Sequence, residues 1–449
     1  MKQRALLWTV LLASCSLEPT YERPAAPIPK TFPATPRAAS SGPTSWPRLF
    51  LDPRLRNVVT RALANNRDLR VAAAGILSAR AQYALARANL LPTISLSAGA
   101  ALSGNLKREV TQAYSLELGT TNFEIDLFGR LRSLSHAALE RYLASEAGAR
   151  AVRLTLIADT AEAWLNIAAQ RSLLSIAEQT ETSANESVSV TRSRLNGGVA
   201  SELDVRQAET ILAQARSDVA SYATALAQAR NALTLLVGAE LIANDLPDEL
   251  GESASVLAEM PASIASRVLL ERPDVQMAEH TLKAANADIG AARAAFFPTI
   301  SLTALGGFAS SALSSLFSSH GAGWQLSPFA ALPIFTGGAN EAQLQYSKAQ
   351  RTLFVADYER VIQRAFREVA DALARRQTID AQLAAQQQLM AAAEASYRLS
   401  EARYRAGADT YLNALDAQRT LYAARRTYVI TELGRSDNLV TLYRVLGGG

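Results

Sequence analysis

The sequence predicts a mainly α-helical chain with a small transmembrane β part, built as a duplicated strand-helix repeat. Three observations predict it. First, Leu90-Leu91-Pro92-Thr93-Ile94-Ser95-Leu96 comes back as Phe296-Phe297-Pro298-Thr299-Ile300-Ser301-Leu302, at a shift of 206 positions that also aligns Asp68 with Asp274 and Arg87 with Arg293. Second, Arg194-Leu195-Asn196-Gly197-Gly198 comes back as Arg403-Tyr404-Arg405-Ala406-Gly407 with the shift grown to 209, a self-similarity that marks a repeat architecture. Third, within each copy the hydrophobic period changes from helical spacing to alternation and back. The copies run over residues 55–243 and 263–449, with a linker at 244–262 that holds Pro247, Gly251 and Pro261.

Residues 1–14 read as a lipoprotein signal peptide. Lys2 and Arg4 are basic, Ala5 to Leu12 is apolar, and Leu12-Ala13-Ser14-Cys15 resembles the lipobox that is cleaved before a Cys which becomes the lipidated N-terminus. Cys15 is the only cysteine, so no intrachain disulfide forms. Acylation there would anchor the chain, since stable attachment takes more than one lipid chain. Ser16 stands where an inner-membrane retention Asp would sit, which by resemblance favours the outer membrane. Residues 15–54, rich in Pro, Ala, Ser and Thr, suit an extended strap that lies on a surface.

From Leu55 to about Leu91 helix formers dominate, until Pro92 stops the helix. Beyond it Ile94, Leu96, Ala98, Ala100 and Leu102 alternate with Thr93, Ser95, Ser97 and Gly99, which predicts a strand with one apolar and one polar face. A second strand, Tyr114 to Phe128, has Tyr114, Leu116 and Leu118 on one parity but Phe123, Ile125 and Leu127 on the other, so a bulge or a change of environment is expected near Thr120 to Asn122. Thr299 to Phe308 and Trp324 to Phe335 are the equivalent strands, and Pro328 and Pro333 argue against full regularity in the last. Long helices follow each pair. The stripes Ile157, Ala161, Trp164, Ala168 and Ile362, Phe366, Val369, Leu373 step by three and four along runs from Arg130 to about Leu195 and from Ala339 to Arg405. Glycines at the tips, Gly197-Gly198 and Gly407, allow a left-handed turn into helices that return to Val237 and Leu446.

Strands of about ten residues with one apolar face can cross a bilayer at a tilt. Four of them leave two open edges whose backbone groups lipid cannot satisfy, and only a closed barrel removes edges. Because closure takes about eight strands, at least two copies must pool theirs, and three copies give about twelve. Charge excludes other classes. The formal net charge of +4 is small for 449 residues, and basic residues alternate with acidic ones along the helices, so nucleic acid is not an expected partner.

Taken together, the opening Cys15-Ser16-Leu17-Glu18-Pro19-Thr20-Tyr21-Glu22-Arg23-Pro24, the duplicated Pro-Thr-Ile-Ser-Leu, the junctions Asp126-Leu127-Phe128-Gly129-Arg130 and Pro333-Ile334-Phe335-Thr336-Gly337-Gly338, and Leu415-Asp416-Ala417-Gln418-Arg419 resemble the TolC-like outer-membrane efflux factors, specifically the lipoprotein branch around OprM and NodT. The resemblance covers nearly the whole mature chain. It implies a homotrimer with a twelve-stranded β-barrel in outer-membrane lipid, continued by a long periplasmic α-helical barrel. It also implies a passive exit duct for small molecules or drugs, with a periplasmic adaptor protein and an inner-membrane pump, commonly of the resistance-nodulation-division type, as partners. By position, the tips at Arg194, Leu195, Gly198, Ser201, Arg403, Tyr404, Gly407 and Thr410 would meet the adaptor, and a periplasmic gate would lie at Leu412, Asp416 and Arg419.

A three-fold axis would turn Asp416 into a ring of carboxylates, with Arg419 available for an inter-helix ion pair in a closed state. The same two residues also read as an ordinary surface pair on one helix. Asn413 stands where TolC-like members carry a second acid, so the resemblance supplies one acid per copy here. Trp324, Tyr114 and Phe308 read either as an interfacial girdle or as packing residues.

No chemistry is expected of the chain itself. His136, His280 and His320 are far apart in sequence with no second ligand at metal spacing, and neither a Walker A loop nor a nucleophile elbow is present, so neither enzyme activity nor a cofactor is expected. Two readings stand beside the small-molecule duct: a periplasmic coiled-coil scaffold that conducts nothing and, among channels, a duct for heavy metals or for type I secretion.

Overall fold

Proline, glycine and capping residues divide the chain into the elements that the repeat demands. A computed structural model describes residues 16–29, 32, 45–104, 110–250, 257–258 and 266–448. The first repeat comprises helices α1 (Pro53–Asn65) and α2 (Arg67–Ala88), strands β1 (Ser95–Gly104) and β2 (Val110–Glu124), and helices α3 (Arg130–Asn196) and α4 (Glu202–Val237). The second comprises α5 (Pro273–Ala294), β3 (Thr299–Ser310), β4 (Ala322–Ala331), α6 (Ala339–Arg405) and α7 (Tyr411–Val445). α3 and α6 have 67 residues each. No described helix is long and apolar enough to cross a membrane.

Two compact units form, each drawing on both repeats. The unit made of residues up to Ala26, Ala74–Ala147 and Gln276–Val361 contains one antiparallel sheet in the order β1-β2-β3-β4. Its register sets Leu96, Leu118, Gly306 and Trp324 in one row, and Ala98, Leu116, Phe308 and Ala322 in the next, all on one face. Ser97, Glu117, Gly307 and Gly323 share a row of the opposite face. The expected bulge is present: the β2–β3 register shifts between Thr120 and Phe123, where Asn122 adopts a φ of 55° and donates its N–H to Thr303 Oγ1. The extra residue restores parity, so Phe123 lies opposite Leu302, on the same face as Leu118.

Two strand ends differ from expectation. β2 stops at Glu124 because Asp126 turns to accept the Arg132 N–H and Gly129, at a φ of 75°, starts α3. β4 stops at Ala331, ahead of Pro333, and Gly337 and Gly338, with φ of 61° and 86°, lead into α6. Pro328 nevertheless lies within β4. The Ile300 carbonyl accepts from the Ile125 N–H at 2.7 Å, so even-numbered residues of β3 turn their backbone groups to β2. Pro328 lies opposite Leu302, at a position that makes no ladder bond to β3, and its missing donor faces the free edge.

In the same unit the strap runs antiparallel along α5. Arg23 forms a bidentate pair with Glu279, Asn286 Nδ2 donates to the Pro19 carbonyl, and Arg293 donates to the Leu17 carbonyl. Gly290 permits this close approach, since a Cβ there would lie 2.8 Å from Glu18 Cα and 2.6 Å from Ser133 Oγ. A correction to the sequence reading lies beside the strap. His136, spaced i, i+4 from Glu140, meets that carboxylate at 3.6 Å and Glu18 at 2.9 Å, while His280 meets Glu140 at 2.6 Å. Two histidines far apart in sequence thus share one carboxylate. Among the described residues, no group of three or more His, Cys, Asp or Glu is arranged to hold a metal ion.

The other unit holds α1, α4, α7 and the remainders of α3 and α6. Ile157, Ala161, Trp164 and Ala168 are all buried, as are Ile362, Val369 and Leu373, so the helical stripes are the core-facing seams. Phe366 in the second stripe stacks on Phe32 of the strap at 4.8 Å. Trp164 is fully buried and satisfies its indole N–H with the Asp245 carbonyl at 2.9 Å.

Candidate functional site at the helix tips

Both tips use the same backbone device. At the α3–α4 turn the Val199 N–H donates to the Arg194 carbonyl and the Gly198 N–H to Leu195, with Gly198 at a φ of 73°. At the α6–α7 turn Ala408 donates to Arg403 and Gly407 to Tyr404, with Gly407 at a φ of 74°. These are paired Schellman caps, in which a left-handed glycine lets the last helical carbonyls find donors. The return helices start differently. Ser201 forms a capping box with Asp204, whereas Thr410 makes no side-chain cap. At the second tip Asp409 receives Asn413 Nδ2, the Thr410 N–H and Arg403 Nε, and these donors hold its carboxyl below the usual carboxylate range.

The two tips interlock. The Arg194 guanidinium lies 4.3 Å from the Tyr404 ring centroid and donates to the Arg405 carbonyl at 2.8 Å. Tyr404 packs on Tyr411 at 5.2 Å, and its hydroxyl meets Thr191 Oγ1 at 3.3 Å. With only 8% of its surface exposed, Tyr404 is spent inside the tip and not on its outer surface. It joins Val188, Leu212, Tyr411 and Leu415 in a small apolar core, where burial raises the Tyr411 hydroxyl above its ordinary range. Gly198, Ser201, Arg403, Gly407 and Thr410 are exposed, and Arg194 and Leu195 are half-buried. Sequence reasoning passed over Val199 and Leu203, two apolar side chains exposed at the first tip. Their signal was the repeat itself, because Leu203 is the mate of Leu412 at the shift of 209.

Leu412, Asp416 and Arg419 form an exposed stripe on α7, opposite the buried Tyr411, Ala414, Leu415 and Gln418. Among the described residues no ion pair joins Asp416 to Arg419, and both side chains lie on the exposed face. Arg419 also borders a hollow of about 230 Å³ with Thr180, Thr210, Ile211 and Tyr422. Deeper along α7, the Tyr422 hydroxyl donates to Asp218 on α4 at 2.6 Å, and Gln418 donates to Ser183 on α3. Cys15 lies outside the described residues, so its environment does not enter this geometry.

Comparison with known proteins places this architecture. The model of the family described as "Outer membrane efflux protein" matches residues 58–239 and 264–448. The probable efflux pump outer membrane protein TtgC of Pseudomonas putida is 43% identical over 453 residues, covering 98% of this chain and 93% of that protein. The cation efflux system protein CusC of Escherichia coli is 39% identical over 446 residues, covering 98% and 97%. Among solved structures, the open state of the MtrE outer membrane channel of Neisseria gonorrhoeae superposes with a TM-score of 0.88 at 38% identity, covering 97% of this chain and 98% of that one. On these matches the chain belongs to the outer membrane efflux protein family, a family of outer-membrane channels and not of enzymes.

Proposed function

We propose that three copies of this chain close one outer-membrane barrel and serve as the passive exit duct of a tripartite efflux pump. One observation carries the reading. The four-stranded sheet is complete in hydrogen bonding only between its own strands, and its outer members β1 and β4 are open edges. Its apolar face is bare, with Trp324 83% exposed. Neither condition is tolerable in lipid until other copies extend the sheet into a ring. The repeat boundaries at 55–243 and 263–449 follow from the same reading, as two structural repeats per copy.

Within this duct the tips are the adaptor contact, and the α7 stripe of Leu412, Asp416 and Arg419 is the periplasmic gate. The exposure of that stripe supports the gate reading, since a constriction needs side chains free to face the axis. Cys15 is the lipid anchor. The direction of the strap supports this, because Leu17 lies against Arg293 in the last turn of α5, the turn that leads into β3. An adaptor and an inner-membrane pump supply the energy. The cargo is small organic compounds, a reading favoured by the 43% identity to toluene and solvent efflux pump outer membrane proteins of Pseudomonas putida over the 39% to a cation efflux protein. Purified protein reconstituted in planar bilayers is expected to conduct ions in steps. A protein that inserts as an oligomer and passes no current supports the scaffold reading instead.

A further inference from the structure

The duplication makes a contact inside one chain that has an unpaired counterpart at its edges. Where β2 and β3 meet their helices, the Phe128 ring stacks on Phe297 with centroids 4.8 Å apart and planes 25° apart. Phe128 lies just past the end of β2, and Phe297 just ahead of β3. Phe335 follows β4 by the same four residues that separate Phe128 from β2, and Leu91 is the mate of Phe297 at the shift of 206. Both mates are bare: Phe335 is 90% and Leu91 70% exposed, and Ile334 beside Phe335 is 93% exposed. They flank the open edges, Phe335 at β4 and Leu91 at β1.

We propose that Phe335 of one copy packs on Leu91 of the neighbouring copy, and that this contact fixes the register in which β4 joins β1 across the seam. The inference rests on the reading that the copies share one barrel. A one-residue slip there sets Trp324 and Leu326 of one copy in rows with polar-face residues of the next, so the seam needs a register mark. Inside the chain the β2 bulge supplies one, but the β3–β4 register runs unbroken from Thr299↔Ala331 to Phe308↔Ala322 and leaves β4 with none. The occupant is a second copy and not lipid, because the intrachain pair shows what the same junction binds when a neighbouring strand is present.

Full-length protein carrying both Phe335→Cys and Leu91→Cys, purified in detergent and oxidised, tests the contact. Covalent dimers and trimers are expected in about tenfold excess over either single variant, because two cysteines bridge only when their Cα atoms lie within about 7 Å. The single variants also report any bond made through Cys15. Phe335→Cys paired with Leu85→Cys, further back on α2, is expected to give no excess. Phe335→Ala should lower the temperature at which the oligomer dissociates in SDS, and Phe335→Leu should restore it. A trimer whose Phe335→Cys/Leu91→Cys form stays unlinked overturns the contact and leaves the shared barrel standing. A wild-type protein that is monomeric by light scattering removes the shared barrel, and the contact with it.

Discussion

Asp437 on α7 illustrates how burial, which no single residue announces, sets the chemistry of a side chain. Its Oδ1 is buried without a hydrogen-bond partner among the described residues. Desolvation and the nearby charge of Glu162 push its carboxyl up to about 7. Asp159 and Glu162, on the facing stretch of α3, are also raised by burial, and Arg444 only partly offsets this. An unfolded Asp releases its proton near pH 4. Between about pH 4 and pH 7 the folded chain therefore holds more protons than the unfolded one, and its stability falls as pH rises through that window. The loss is on the order of 3–4 kcal/mol per copy at most. Asp437→Asn is expected to raise the thermal midpoint in detergent at pH 8 and leave it nearly unchanged at pH 4, read by circular dichroism. A variant that keeps the wild-type difference between the two pH values defeats the assignment. None of this was legible in sequence, because the acids that meet come from stretches some 275 residues apart. By contrast the shared exposed face of Asp416 and Arg419 was legible, through their spacing on one helix.

Helices, strands and the bulge could be read in advance wherever a local rule governs them. Pro92 and Pro298 stop helices, three-and-four stepping marked the buried stripes, and the parity change after Leu118 announced the bulge at Asn122. The ends of β2 and β4 could not be read, because alternation continues through Ile125 and Leu127 while Asp126 and Gly129 already turn the chain. The strap was legible as extended, but its bed was not, since that depends on a glycine of α5 more than 260 positions away. Gly290→Leu would drive a side chain into the strap backbone, at a cost of about 1–3 kcal/mol for such overpacking. The glutamyl endopeptidase Glu-C should then cut after Glu22 in the variant under conditions where the wild type resists. Cys15→Ser should separate docking from anchoring: it is expected to abolish metabolic palmitate labelling, while Gly290→Leu keeps the label. Undiminished label in Cys15→Ser, or a strap equally resistant in Gly290→Leu, would sink the respective claim.

Duplication gives each copy two tips of one design, yet the charges break the symmetry. Asp416 and Arg419 on α7 have Gln207 and Thr210 as their mates on α4. Three copies would thus present six tips but only three carboxylates at the gate, alternating with neutral side chains around the axis. Asp416→Ala is expected to raise the resting leak in planar bilayers and to weaken cation preference, and an unchanged current trace would count against the gate. Pro328 has a different kind of consequence. Its ring removes one donor on the side of β4 that faces away from β3, so the border between copies lacks a stitch that any other residue there would supply. Under lateral tension the wall should part along those three lines, releasing intact four-strand staves instead of shredded ones.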